Sequence, residues 1–308
     1  HIWHTTNKRI HKYMCQFCEF NNFTLRTKVN YNDHIYSFPI NLFTLHQLWG
    51  VITPEQAAEK LEEVKVPIEN PSNLEEWILS QVGEEIYEIF IKGYTTKQWG
   101  REPSLLPSSI IRRLPIRLTY NDRFYPDEHI YEGIPIGGYT QIFEKLLDGI
   151  EVRLGVDYFK DELPEHTKVI YTGPIDKYFN YKYGELEYKT TRFEHFKFDT
   201  DNHQGCPVMN YTDSDTTYTR TIEHKHFEPD VKTDSTWVTW EYPTQYKAEE
   251  TEPYYPVNDK ENTEMYLKYR DDANKLENIH FGGRLAEYKY YDMHQVISSA
   301  LNFIKKTS

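Results

Sequence analysis

Two stretches of this chain obey different periodicities, and a fold has to house both. From residue 42 to about 118 the apolar residues keep helical spacing, as in Leu74, Trp77/Ile78, Ile86 and Ile89/Phe90. From about 186 to 245 the segments LEYKTT, FEHFKF, PVMNYT, TRTIEHKHF and WVTWEYP read as strands and carry no helical stripe. The first stretch predicts a helical region and the second a mostly antiparallel sheet. Start signals support the helices. Thr53-Pro54-Glu55-Gln56 offers a hydroxyl for an orphan amide, a proline suited to the first helical position and a glutamine that can reach back. Ser72-Asn73-Leu74-Glu75 repeats the same logic. The region ends in EPSLLPSSIIRRLPIR, which Pro103, Pro107 and Pro115 break and which carries Arg112, Arg113 and Arg117, predicting an exposed, mobile basic loop.

The remaining segments alternate helix and strand. A helix is predicted over 5–19, and NYNDHIYSFPI turns like a hairpin. In GGYTQIFEKLLDGIEVRLGV, Ile142, Phe143, Leu146 and Leu147 form a helix stripe, Gly149 stops it, and IEVRLGV predicts a strand. KVIYTGPID predicts a buried strand ending in a Gly-Pro turn. NIHFGGR predicts another, leading into a helix faced by Met293, Val296/Ile297, Ala300/Leu301 and Ile304 and capped by Asp292 with Gln295. The fold class is therefore α/β with α+β elements.

Composition limits what the chain can do. Its 308 residues, 38% of them apolar, can bury a large core. No run approaches the ~18 apolar residues of a membrane span and no secretory leader is visible, so the cytoplasm is the default location. A formal charge of −13 repels nucleic acid and anionic membranes. The 26 tyrosines, each a flat apolar ring with a hydroxyl, favour a small-molecule site. Cys15 and Cys18 have redox-motif spacing, but they fall in a helix-like segment with no second pair, which reads as core packing. His224 and His226 flank Lys225 on a predicted strand and so share a face; with no third ligand, no metal site is expected.

The segment FGGRLAEYKYYDMHQVI, residues 281–297, concentrates the chemistry. A strand, a glycine pair and a capped helix start favour an anionic group such as a phosphate or the pyrimidine edge of a reduced flavin, although Asp292 can equally be a cap and the tyrosines packing. KGYTTKQWGREP carries Tyr94, Thr95 and Trp99, YTRTIEH carries Arg220, and EPYYPVND carries Tyr254, Tyr255 and Asn258. These residue types supply guanidinium forks, stacking faces and hydroxyls for a diphosphate and a base.

The order of HIWHTTNK, FPINLFTLHQLWG, IKGYTTKQWG, GIPIGGYT, IYTGPIDKYF, YTRTIEHKHF, EPYYPVND and FGGRLAEYKYYDMHQVI resembles the prokaryotic UDP-galactopyranose mutases over essentially the whole chain. That resemblance implies a cytoplasmic isomerase in cell-wall and surface polysaccharide biosynthesis. It would interconvert UDP-galactopyranose and UDP-galactofuranose through a flavin N5-sugar adduct on reduced FAD, commonly as a homodimer. It implies a discontinuous FAD-binding Rossmann-like domain from 1–20, 133–185 and 270–308. A helical substrate-binding subdomain with a mobile loop would occupy 42–132, and an antiparallel sheet subdomain 21–41 and 186–269. Residue by residue, it implies that Arg113 and Arg220 clamp the diphosphate while Tyr255 and Tyr290 bond it. Tyr94, Thr95 and Trp99 would line the uridine and sugar side, and Tyr125 and Asn210 would add substrate contacts. Arg284, Tyr290, Asp292 and Met293 would hold the flavin, and His1 would answer its redox state.

The chain departs from the pattern in three places. Phe124-Tyr125 reverses a usual Tyr-Phe, and Leu25 stands where Asn or His is usual. The first residue is His1, and the G-x-G-x-x-G turn of a βαβ start is not among these residues. An alternative expectation follows: a truncated, inactive homologue that binds UDP-sugar without flavin. A flavin oxidoreductase is disfavoured by the lack of a nicotinamide-type glycine fingerprint.

Overall fold

The computed structural model describes residues 1–112, 114–162, 168–248 and 250–307. The chain divides into two compact units, one from His1–Asn22, Glu128–Glu187 and Tyr255–Ser308 and the other from Phe23–Asp127 and Tyr188–Tyr254.

The second unit joins the predicted helices to the predicted sheet. Its strands lie in the spatial order Tyr188–Phe198, Thr236–Gln245, Arg220–Glu223, Val208–Tyr211, Thr27–Tyr31, His34–Phe38. Neighbours are antiparallel except Thr27–Tyr31 with Val208–Tyr211, which run parallel. The hairpin at 27–38 turns through Asn32 and Asp33, both at positive φ (49° and 65°), the two-residue geometry whose twist suits paired strands. LEYKTT and FEHFKF form one continuous strand of 11 residues rather than two.

Helices Leu42–Trp49, Pro54–Val64 and Leu74–Ile86 bury Leu42, Leu45, Ala57, Leu61, Leu74, Ile78 and Ile86 against Val29, Phe38 and Ile40. Thr53 and Gln56 make the reciprocal capping box expected of them. The second start signal does not close as a reciprocal box, and its cap sits one residue further along than predicted. Asn73 caps, accepting from the Glu76 amide at 2.9 Å, and the Glu76 carboxylate accepts from the Ser72 amide at 2.8 Å. The chain bends at Gly83, whose φ of +79° excludes a side chain and whose missing Cβ leaves room for the Val64 carbonyl. It then winds through a π-helical stretch Tyr87–Lys92 into helix Gly93–Trp99.

The predicted basic loop is only partly exposed. Leu106 is buried, Ile110, Ile111, Leu114 and Ile116 pack on the helical core, and Arg117 is buried, donating to the Arg123 and Tyr125 carbonyls at 2.6 and 2.8 Å. Isoleucine and leucine between the prolines outweigh the arginines in deciding where this segment goes. Arg112 is exposed; Arg113 lies outside the described residues.

The strand carrying His224 and His226 ends earlier than predicted. It stops at Glu223, and His224–Phe227 is a single 3-10 turn, so the two imidazoles part: His224 meets the Thr239 hydroxyl at 2.6 Å and His226 the Glu223 carboxylate at 3.1 Å. Glu223 is fully buried and accepts from the His203 and Gln204 amides, each at 2.8 Å. Burial pushes its pKa up, but those amides, Thr236 and His226 together hold it below the ordinary glutamate value. Its stabilising contribution is therefore present above the unfolded pKa of about 4.3 and fades as pH falls through the lower folded value. We expect Glu223→Gln, which turns an amide NH2 towards fixed donors, to cost about 2 kcal/mol in urea unfolding at pH 7. The gap to the unaltered chain should shrink in acid. An equal cost at every pH would mean that shape, not charge, holds this corner.

In the first unit, strand Trp3–Thr5 pairs antiparallel with Tyr131–Gly133, and Val169–Tyr171 pairs parallel with Ile279–Phe281. Trp3, Ile10, Met14, Cys18 and Ile142 form a buried cluster beneath helices Lys8–Met14, Thr140–Leu146 and Met293–Thr307. Cys18 is packed there as expected, whereas Cys15 is exposed with its sulfur 3.6 Å from His11. IEVRLGV is not a strand. Its alternating Ile150, Val152, Leu154 and Val156 are 59, 52, 89 and 41% exposed, because no strand among the described residues offers them a ladder. No helix among the described residues is long and apolar enough to cross a membrane.

Candidate active site

In the second unit the sheet register brings two expected substrate residues together. Asn210 lies directly opposite Arg220, and Arg220 lies opposite Glu241 on the next strand. Opposed residues share a sheet face. The half-buried Arg220 guanidinium is bonded to the Glu241 carboxylate, which fixes its plane, and Asn210 donates to the Lys28 carbonyl at 3.1 Å. Just before Arg220, the Tyr218 ring packs within 4.6 Å of Trp240 and 4.7 Å of Tyr211. Burial, aided by Tyr211, pushes its hydroxyl up to about 12, so it remains a donor at neutral pH.

Helix Gly93–Trp99 carries Tyr94, Thr95 and Trp99. Thr95 is buried, Tyr94 and Trp99 are half-buried, and Trp99 packs on the helical core. The helix approaches the sheet at Gly93, where any Cβ would strike the Thr212 carbonyl. One turn on, and so on the same face, the Lys97 ammonium donates to the carbonyls of Tyr211 and Thr216 at 2.9 Å and Tyr218 at 3.2 Å. Burial lowers its pKa to about 8, opposed by Asp213. Tyr125, half-buried and edge-on to Phe124 at 5.3 Å, is held by the Arg117 bond to its carbonyl.

In the first unit the 281–293 segment builds a wall. The rings of Tyr255 and Tyr290 stack with centroids 5.4 Å apart and planes at 17°. Arg284 lays its guanidinium 4.4 Å from the Tyr290 centroid and 5.3 Å from that of Tyr255. Its Nε is buried with no hydrogen-bond partner among the described residues. Tyr288, at φ 46°, turns inward and donates to the Glu187 and Val257 carbonyls at 2.6 and 3.0 Å, which locks the wall's backbone. The Gln295 side chain accepts from the Asp292 amide at 2.8 Å, closing the start of helix Met293–Thr307. Met293 packs against the Trp3 cluster.

Asp292 also belongs to a group that the sequence did not single out. His4 Nε2 is 3.9 Å from Asp292 Oδ1, His4 Nδ1 is 2.8 Å from His129 Nδ1, and the His294 ring stands edge-on to His4 at 5.6 Å. One nitrogen of the His4–His129 contact must donate and the other accept, so at least one imidazole keeps a bare Nδ1. The ligand atoms of His4, Asp292 and His294 all lie within 4.8 Å of one another. His1 is exposed, and its carbonyl accepts from the Tyr139 hydroxyl at 3.0 Å.

The residues missed from sequence are Lys97, Glu241, His4, His129 and His294. Alternation in HIWHT could have flagged His4; nothing local marks the others.

Comparison with known proteins gives this geometry a class. The fold superposes on a crystal structure of reduced UDP-galactopyranose mutase with a TM-score of 0.74 at 14% identity, covering 100% of this chain and 84% of that one. The "probable UDP-galactopyranose mutase" of Klebsiella pneumoniae is 38% identical over 98% of this chain and 78% of its own length. The dTDP-fucopyranose mutase of Escherichia coli is 37% identical over 98% of this chain and 82% of its own length. Fold and relatives together define a sugar-nucleotide mutase, an isomerase. The family model described as UDP-galactopyranose mutase matches residues 89–290, well over half of the chain. The chain belongs to the UDP-galactopyranose mutase family.

Proposed function

We propose that this protein interconverts UDP-galactopyranose and UDP-galactofuranose with reduced FAD as cofactor. The observation that carries the reading is the match across 98% of the chain to a relative named for that reaction. The residues fit a flavin dinucleotide: Arg284 keeps a buried Nε with no partner among the described residues beside two stacked rings, and a helix of 15 residues starts at Met293. When bound, the reduced flavin would supply the nucleophile.

The chain's residues do the rest. UDP leaves as a diphosphate, so charge develops on its oxygens, and the Arg220 guanidinium, held in plane by Glu241, is the group to stabilise it. Arg113 is the second cation in this reading. Asn210, on the same sheet face, orients substrate; Tyr94, Thr95, Trp99 and Tyr125 line the nucleotide and sugar side. Tyr255 and Tyr290 bond the diphosphate, and Asp292 and Met293 border the flavin ring, with His1 beside it. The protein would work as a homodimer in the cytoplasm and feed surface glycans.

A second substrate deserves the same assay, because 37% identity to a dTDP-fucopyranose mutase stands next to 38% to the galactose enzyme. The full chain, supplied with FAD and dithionite, should convert UDP-galactofuranose to UDP-galactopyranose, followed by chromatography of the sugar nucleotides. dTDP-fucopyranose as sole substrate separates the two specificities. No conversion of either, with reduced flavin bound, would sink the mutase reading, and UDP binding without any flavin uptake would favour the inactive homologue.

A further inference from the structure

We infer that Lys97 is a positioning residue for the nucleotide diphosphate, acting through the loop between strands Val208–Tyr211 and Arg220–Glu223. The inference rests on the functional reading above, in which Arg220 meets the diphosphate.

The loop from 211 to 219 has to deliver Arg220 in one place. Its far end is pinned in the sheet, with the Thr219 amide donating to the Glu241 carbonyl at 2.9 Å and the Thr219 carbonyl accepting from Tyr211 at 2.8 Å. Its interior turns away from the ladder. The Thr216 amide donates to the Asp213 side chain at 2.7 Å, and the carbonyls of Tyr211, Thr216 and Tyr218 converge on one point. An ammonium has three donors and no acceptor, and Lys97 fills that point with all three. The lysine comes from helix Gly93–Trp99, which also carries Tyr94, Thr95 and Trp99. Gly93, four residues earlier on the same face, lets the helix backbone touch the Thr212 carbonyl. One cation therefore ties the helix that lines the proposed nucleotide side to the loop that presents the proposed diphosphate arginine. Removing it takes from three carbonyls the donor they share, and that tie between loop and helix is lost.

A double-mutant cycle on the full chain tests this, with UDP as the probe and calorimetry at pH 7 as the readout. We expect Lys97→Met to weaken UDP binding about tenfold in the otherwise unaltered protein and by less than about twofold when Arg220 is already Ala, because the lysine works through the arginine. A lysine that merely stabilises the fold would give no loss among folded molecules, or the same loss in both backgrounds, and either result overturns the inference. Lys97→Gln keeps a donor and should fall between; if the methionine variant does not fold, the same cycle is run with glutamine and read the same way. Tight UDP binding that ignores Lys97 defeats this inference alone. No UDP binding by the unaltered chain defeats the functional reading and this inference with it.

Discussion

Arg220→Ala should lower kcat/KM for UDP-galactofuranose by about 100- to 1,000-fold, the range seen when one preorganised donor to a developing oxyanion is removed. The reason lies in the strand register. Arg220 sits between Asn210 on one neighbouring strand and Glu241 on the other, so its guanidinium cannot swing freely. A fixed fork can meet two diphosphate oxygens at once, which a mobile one does only at an entropic cost. Arg220→Lys keeps a point charge and loses the fork, so it should recover part of the activity only. FAD uptake should be unchanged in both variants. Loss of flavin instead would assign this arginine to the cofactor. Glu241 is buried, so the alanine variant also leaves a carboxylate without its cation. Thermal unfolding must therefore be followed in parallel, and Arg220→Ala with Glu241→Gln should regain stability without regaining activity.

What sequence could foresee here follows from how local the determinants are. The Thr53 capping box was legible because all its partners lie within four residues. The Ser72 start differs because Ser72 and Asn73 both offer caps: Asn73 takes the cap, and Glu76, not Glu75, reaches back to Ser72 and not to the cap's own amide. Apolar alternation in IEVRLGV encodes a strand only if another strand accepts it, and among the described residues none does. His224 and His226 failed as a same-face pair because the buried Glu223 bonds two amides and His226, and the ladder gives way to a turn. Lys97 was invisible for a different reason. Its acceptors are backbone carbonyls 114 to 121 residues away, and a backbone carbonyl leaves no mark in a sequence. Tyr255, Arg284 and Tyr290 were nominated through family motifs, yet their stacking could not be read from them, since it depends on Tyr288 adopting positive φ and pinning the wall from behind.

Arg284→Ala should weaken FAD binding by at least about tenfold while costing little stability, and that combination separates a ligand-directed residue from a packing one. A guanidinium over two ring faces contributes cation–π attraction of about 0.5–1 kcal/mol at a partly exposed site. Against this, its buried Nε has surrendered water without gaining a partner among the described residues, a penalty of about 1–3 kcal/mol. In the absence of ligand these contributions offset, so deleting the side chain should move thermal unfolding only slightly. An incoming anion changes the balance: the orphaned N–H acquires an acceptor, and the positive charge already held against Tyr255 and Tyr290 needs no further ordering. Arg284→Lys restores charge but not the planar face, and should recover less than half of the lost binding free energy. Titration of FAD against quenching of its own fluorescence reads the affinity, and thermal unfolding without FAD reads the stability. A variant that unfolds many degrees earlier yet binds FAD as before would place Arg284 in the packing of the two tyrosines, and the flavin would have to be sought elsewhere on this unit.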